Sequence, residues 1–267
     1  MGKDTGHYVS REDGKVYYDR RGEGEPLIFM HAVGMSGWSW RNVIDKFAEN
    51  FTCYNIDLPG YDHSDVPPRQ YTIEDFTDAI IDIMANAEIN QASIIGDHSG
   101  AMIAVDLAGK YPEKVKRMVL DGMPYWDKKG GVEFFEKNFK PQHTDITSYD
   151  IPVPPMWTYE EALVHYPGWN RETWTKREDI KRKSRLWIRM CQNANTGYDM
   201  QLAGPKVTVP TLLMYGSGDM RRFDGEQAHK GIKGSILKVF SESPGGVHDF
   251  TPDEFTKTAL EFLHKKN

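Results

Sequence analysis

A glycine-framed turn in the middle of the chain constrains the fold more than any other feature of the sequence. Residues 96–100 read Gly-Asp-His-Ser-Gly. The short β-branched run at 92–95 is typical of a buried parallel strand, and residues 101–112 read as a helix of small and apolar residues. Another apolar strand follows at 115–121. Strand, tight turn, helix and strand in this order predict a parallel α/β sheet.

The rest of the chain extends this pattern on both sides. An opening hairpin is predicted across Asp13-Gly14. The predicted strands near 27–30, 52–56, 92–96 and 116–121 alternate with predicted helices near 38–48, 73–88 and 99–110. We therefore expect an α/β protein, with a mostly parallel sheet flanked by helices. The alternation stops after Asp121 and resumes only at Val209, and the intervening segment is rich in Trp, Tyr, Pro and charged residues.

Bulk properties favour one enzyme-sized domain and exclude some partners. A chain of 267 residues that is 39% hydrophobic can bury a full core. The net charge of −6 argues against a nucleic-acid surface. The sequence has no long apolar run and no apolar leader segment, so we expect a cytoplasmic protein with no membrane partner. A small molecule is the expected partner, and the sequence leaves a homodimer open.

Two frames are available for the residue at the apex of the turn. A turn between strand and helix needs small residues two positions before and two positions after its apex, because the two elements approach closely there. Gly96 and Gly100 satisfy this requirement around His98. A frame centred on Ser99 would place Asp97 at the first small position. We therefore predict His98 at the apex and keep Ser99 as the alternative.

The chain resembles the α/β-hydrolase fold superfamily along nearly its whole length. In that family the apex sits in a G-x-S-x-G motif, so histidine here replaces the usual serine nucleophile. Ala32 and Asp62 stand where the family usually has glycine. The other landmarks come in the family's order: an oxyanion-loop segment at 26–34, a D-x-P-G-x-x-x-S turn at 57–64, an acid-bearing strand and loop at 211–219, and a histidine loop at 245–250.

The resemblance implies a catalytic set and its electrostatic support. It assigns catalysis to His98, Asp219 and His248, with Asp219 orienting the ring of His248. Asp121 is the fallback acid, and Ser99 is the alternative nucleophile. The expected oxyanion donors are the backbone N–H groups of Val33 and Ser99.

The resemblance also assigns the segment after the sixth strand to a helical cap. The implied division is a core at 1–124 and 206–267 and a cap at 125–205. A cap over the carboxyl ends of the strands makes an apolar concave site, the usual place for a ligand in such sheets. The residues expected to line this pocket are His31, Tyr125, Trp126 and Trp187.

A histidine apex leaves three chemical interpretations open. Its imidazole could attack a carbonyl, or His98 and His248 could act as paired acid and base on water or on a carbon–carbon bond, or the site could only bind a ligand. Retention of an acid and a late histidine favours an enzyme. We expect a hydrolase of small or medium esters, lactones or related carbonyl compounds, with a lyase or isomerase and a silent binder as alternatives. We expect no cofactor, and no metal at the possible donor set of His98, His248 and Asp219.

Overall fold

An eight-stranded sheet forms the centre of the protein. The computed structural model describes residues 6–138, 158–166 and 168–265. The strands are β1 (His7–Arg11), β2 (Gly14–Arg21), β3 (Glu25–Met30), β4 (Phe51–Asp57), β5 (Ala92–Asp97), β6 (Val115–Asp121), β7 (Thr211–Gly216) and β8 (Ile236–Phe240). Their order in the sheet is β1-β2-β4-β3-β5-β6-β7-β8. Only the pairings of β2 with β1 and β4 are antiparallel, so the predicted mostly parallel sheet is confirmed.

Helices cover both faces of this sheet, as the alternating pattern predicts. The helices are α1 (Ile44–Phe47), α2 (Ile73–Asn86), α3 (Ser99–Lys110), α4 (Lys128–Asn138), α5 (Tyr159–His165), α6 (Arg171–Gly197), α7 (Met200–Ala203), α8 (Gly225–Gly231), α9 (Val247–Phe250) and α10 (Pro252–Leu263). Short 3-10 helices lie at Gly37–Asn42, Pro112–Lys114, Gly204–Lys206 and Arg222–Asp224. None of the described helices is both long and apolar enough to cross a membrane.

Two hydrophobic clusters hold the layers together. One packs α2 and α3 against β3–β6 and includes Ile80, Ile94 and Ile103. The other packs α1 and α10 against the opposite face and includes Phe47 and Phe255. Every residue of β5 is buried, because this strand has helices on both sides and a neighbouring strand at each edge. The turn that follows β5 is therefore held by a fully buried strand.

In the described part of the segment between β6 and β7, where the sequence predicts the cap, lie four helices, α4–α7. The longest, α6, is attached to the core by Trp187, whose ring lies 5.4 Å from that of Tyr71 and 6.1 Å from that of Phe76. Trp126 donates from Nε1 to the backbone oxygen of Asn195, at 3.2 Å. The boundary at 125–205 stays a prediction, and its segment 139–157 lies outside the described residues.

Asp62 retains the backbone conformation that a glycine would give to its turn. Its φ is 44°, in the left-handed region, which aspartate tolerates better than most side chains. Lys183 of α6 lies 3.3 Å from its carboxylate. The substitution at this landmark therefore leaves the turn intact and adds a contact to the segment between β6 and β7.

Candidate active site

The turn after β5 places His98 at its apex. His98 has φ 45° and ψ −100°, a strained conformation, and it stands immediately before the first residue of α3. A Cβ atom on Gly96 would lie 2.6 Å from the backbone oxygen of Gly100, and one on Gly100 would lie 2.1 Å from that of Met30. Both flanking positions thus require glycine, as the frame centred on His98 predicts. Ser99 lies in the first turn of α3 with its side chain buried.

Two carboxylates hold the ring of His98. Its Nδ1 lies 2.5 Å from Asp97 Oδ1, and its Nε2 lies 3.3 Å from Asp219 Oδ2. Burial opposes the charged ring, but the negative charges of Asp219 and Asp97 and their hydrogen bonds outweigh it, so the pKa of His98 is raised well above its ordinary value. The two carboxylates thus favour the charged form of His98, in which both ring nitrogens are donors.

The late histidine is held by a different acid from the one expected. His248 Nδ1 lies 2.7 Å from Asp121 Oδ2, and the backbone N–H of His248 donates to the same oxygen at 3.0 Å. The assignment of Asp219 as the orienter of His248 is therefore wrong in this structure, and the fallback acid Asp121 takes that position. The physical reason is the long ring at the apex, because the imidazole of His98 reaches Asp219 where a serine would not.

Asp97 joins the two histidines into one charged cluster. Its second oxygen, Oδ2, lies 3.9 Å from His248 Nε2. Burial raises the pKa of Asp97, but the charges of His98 and His248 outweigh that effect and lower it overall. The contacts run in the order Asp121, His248, Asp97, His98, Asp219, so neighbouring groups in the series are opposite in charge when both rings are protonated.

The protonation of His248 follows from the same cluster. Burial lowers the pKa of His248, yet the charge of Asp97 and the hydrogen bond to Asp121 raise it above the ordinary value. Burial also raises the pKa of Asp121, although its hydrogen bond to His248 opposes that shift. His248 thus loses its proton only at a pH above that of a free imidazole, which moves its use as a base toward alkaline pH.

The expected oxyanion donors lie beside a serine hydroxyl. The backbone N–H of Val33 donates to Ser99 Oγ at 3.3 Å, and Asn195 Nδ2 donates to the same oxygen at 2.8 Å. The backbone N–H of Ser99 is at the first position of α3, where a helix leaves N–H groups without intrahelical partners. The N–H of Val33 and the amide of Asn195 thus point at one place, which Ser99 Oγ occupies.

A cavity of about 410 Å³ opens above this cluster. That volume suits a small or medium ligand. Aromatic rings contribute much of its wall; they belong to Trp126, Phe134, Phe135, Tyr166, Trp169 and Phe250. Tyr166 stacks between Trp169, at a centroid distance of 4.4 Å, and Phe250, at 4.9 Å. The aromatic part of the wall is therefore apolar, while the floor is charged.

Three of the four predicted pocket residues do not line this cavity. Trp126 does. His31 is fully buried, with Nδ1 at 2.8 Å from the backbone oxygen of Ala32 and Nε2 accepting from Leu58 N. Trp187 is fully buried against α2 because it anchors α6. Tyr125 turns its hydroxyl toward Gly231, in the core. The predictions for His31, Tyr125 and Trp187 are therefore wrong, since these side chains serve the core.

Sequence reasoning missed Asp97 and Asn195. From the sequence, Asp97 is considered only as a side chain too large for the first small position of the turn. A carboxylate at the end of the central strand is itself a signal of a functional site. Asn195 belongs to the cap helix, and its contact with Ser99 spans 96 positions of the chain. The polar residues of α6 that recur at helical spacing were the available signal for a helix face turned toward a site.

The potential metal-ligand atoms that lie close together are not those of His98, His248 and Asp219, the possible donor set named from the sequence. Two groups of described residues bring potential ligand atoms within 4.8 Å of one another: Asp97, Asp121 and His248, and separately Asp57, Asp62 and His63. In the first group, Asp121 Oδ2 and His248 Nδ1 already share a hydrogen bond. The absence of a metal at the site stays a prediction.

Fold and site together define an α/β protein with its polar groups at the carboxyl ends of β5 and β6. The family model described as alpha/beta hydrolase fold matches residues 25–228. The chain belongs to the alpha/beta hydrolase fold family.

Relatives of known name agree with this class. The chain is 26% identical over 265 residues to the serine hydrolase BPHL of Homo sapiens, covering 93% of this chain and 83% of that one. It is 31% identical over 109 residues to the (E)-2-((N-methylformamido)methylene)succinate hydrolase of Acinetobacter baylyi, but that match spans only 40% of this chain and 41% of the relative. The enol-lactonase from Burkholderia xenovorans has the same fold, with TM-score 0.78, 20% identity, and coverage of 97% of this chain and 100% of that one.

Proposed function

We propose that the protein is a hydrolase of small or medium esters or lactones in which His248 is the general base and His98 the general acid. The family and the named hydrolase relatives support hydrolysis. The single observation that carries the roles is that the two histidines face opposite oxygens of one carboxylate, Asp97, at the floor of one cavity. Both rings can therefore reach one small substrate.

His98 suits an acid better than a nucleophile. A nucleophilic imidazole needs a free lone pair on one ring nitrogen, and both nitrogens of His98 face carboxylates. The contact with Asp219, at 3.3 Å, is the longer of the two, so Nε2 is the donor that a substrate oxygen can share. His98 would protonate the leaving alkoxide from that nitrogen.

His248 supplies the complementary base. Asp121 accepts the hydrogen bond from Nδ1, which leaves the lone pair of the neutral ring on Nε2. A water molecule that gives its proton to Nε2 can attack the carbonyl carbon directly. The backbone N–H groups of Val33 and Ser99 would stabilise the tetrahedral oxyanion. Hydrolysis by this route needs no covalent acyl-enzyme.

A carbon–carbon lyase or isomerase is the second candidate, and one observation favours it. The apex carries no hydroxyl or free carboxylate for covalent attack, whereas paired imidazoles suit proton transfer to or from carbon. Hydrolysis and a lyase or isomerase reaction can be distinguished by their products. Hydrolysis incorporates one oxygen atom from water into the acid product, whereas proton transfer alone does not.

A panel of chromogenic short-chain esters and lactones, run in ¹⁸O-labelled water, tests the proposal. We expect turnover with label in the acid product and its loss in His98→Ala and in His248→Ala. The matched control is His63→Ala, since His63 lies at another turn and contacts Asp57. Turnover without label would favour the lyase. Binding without turnover in the wild-type protein would favour the silent binder.

A further inference from the structure

The long helix α6 turns a polar face toward the cavity. Arg177, Lys181, Gln192 and Asn195 all line the cavity, and their spacing places them on one side of the helix. Three of their buried atoms, Arg177 Nε, Gln192 Oε1 and Asn195 Oδ1, have no hydrogen-bond partner among the described residues. Buried polar groups are nearly always paired in folded proteins, so this face has hydrogen-bonding capacity for a ligand.

Positive charge is in surplus at the end of this face nearest the start of α6. Asp249 is shared by Arg41, at 2.8 Å, and Arg177, at 3.1 Å, so one carboxylate serves two guanidinium groups. The ring of Trp169 lies 4.3 Å from the guanidinium carbon of Arg177 and fixes its plane. Lys181 follows one turn later, and its ammonium group donates to Glu178 Oε1 at 2.7 Å.

The cost of burying these cations is not fully offset by their neighbours. Burial lowers the pKa of Arg177, with Arg41 acting in the same direction and Asp249 opposing. Burial likewise lowers the pKa of Lys181, and Glu178 opposes that shift. An added anion would stabilise both charged forms.

The other carboxylates that line the cavity are committed elsewhere. Asp97 and Asp219 both face the ring of His98, at 2.5 and 3.3 Å. Asp249 is the carboxylate that the two arginines share. One positive charge of the pair Arg41 and Arg177 therefore remains available to a ligand, and Lys181, although paired with Glu178, lines the same cavity.

We propose that Arg177 and Lys181 bind a carboxylate group of the substrate, several bonds away from the carbonyl that reacts. Arg177 and Lys181 lie in the first half of α6, whereas Asn195, which contacts Ser99 beside the apex, lies near its end, so the two cations and the apex face different parts of the cavity. This inference rests on the proposed hydrolase function and narrows its substrates to esters or lactones with a distal acid group.

A matched series of esters tests the charge directly. The probes are mono-p-nitrophenyl esters of the straight-chain diacids from succinate to suberate, each beside the neutral p-nitrophenyl ester of an alkanoate of similar length. We expect kcat/KM at least tenfold higher for the acid-bearing member at the best chain length. That advantage should fall as salt increases.

Variants locate the effect. Arg177→Gln should raise KM at least tenfold for the acid-bearing esters and change the neutral series less than about twofold. Lys181→Met tests the site without touching Asp249, in case Arg177→Gln disturbs folding. The control is Arg182→Gln, whose side chain is exposed and pairs with Asp179. Equal losses in both series, or no preference for the acid-bearing series in the wild type, would overturn the proposal.

A binding readout separates this inference from the hydrolase proposal. Adipate should quench the fluorescence of Trp169 and its neighbours in the wild-type protein, and Arg177→Gln should weaken that binding at least tenfold. This result without turnover of any ester would refute the hydrolase and leave the anion site standing. Adipate binding that Arg177→Gln and Lys181→Met do not weaken would refute the anion site even in an active hydrolase.

Discussion

Replacing Asp121 with asparagine is the sharpest test of the acid that serves His248. The change removes the negative charge at the other end of a 2.7 Å contact but keeps the size of the side chain. A hydrogen bond to a charged group contributes about 1.5–3 kcal/mol, and about 1.4 kcal/mol is a tenfold change in rate. We therefore expect kcat/KM on the best ester to fall by roughly tenfold to 150-fold.

The same substitution should also shift the pH dependence. The charge of Asp121 helps to raise the pKa of His248, so Asp121→Asn should lower the pH at which the base becomes active. Asp219→Asn is the matched control, because Asp219 faces His98 and its charge helps to raise the pKa of that ring. In that variant His98 should lose its proton at a lower pH, and activity should decline earlier on the alkaline side.

Stability should change little in Asp121→Asn, which keeps the assay interpretable. Burial already raises the pKa of Asp121, so the folded protein gains nothing from burying its charge apart from the bond to His248. The asparagine oxygen can still accept the backbone N–H of His248. Near-normal kcat/KM in Asp121→Asn, together with a large loss in Asp219→Asn, would show that Asp219 orients the base and that the argument from this geometry is wrong.

Three further predictions concern the apex and the medium. His98→Ala should lower turnover about 100-fold or more. His98→Ser should restore a G-x-S-x-G sequence, and the substrate preference of that variant should shift toward simple esters. Full activity in His98→Ala with covalent labelling of Ser99 would show that the frame centred on His98 is wrong. Wild-type kcat/KM should rise through a pKa above the ordinary value of 6.5, as His248 loses its proton, and fall at higher pH as His98 does, whereas an acidic optimum would contradict these assignments. Exhaustive chelation should leave hydrolysis unchanged, and activity that only an added divalent ion restores would refute the metal-free prediction.

The sequence predicts the sheet and the apex well because both depend on local patterns. The buried run of β5 and the two glycines around His98 specify a strand and a tight turn without any long-range information. The strand ends also place Asp97 and Asp121 side by side, since these residues are paired in register at the ends of β5 and β6.

The choice of acid could not be predicted in the same way. Asp121 is the last residue of β6 and Asp219 follows β7, and both strands end at the same edge of the sheet, so the sequence pattern does not show which of them meets His248. In this structure Asp219 contacts the imidazole at position 98 instead, with Oδ2 at 3.3 Å from Nε2. The roles of Trp187 and Tyr125 were equally inaccessible, since a cap aromatic that anchors a helix and one that lines a cavity have the same signature in sequence.

The register between Asp97 and Asp121 has a consequence for how this enzyme can change. Both carboxylates of His248 are end residues of paired strands, so their separation is set by the backbone hydrogen bonds of the sheet. The pairing of β5 with β6 does not fix the loop after β7, which carries Asp219. Insertions or replacements in this loop can therefore alter the contact between Asp219 and His98, while Asp97 and Asp121 keep their places beside His248.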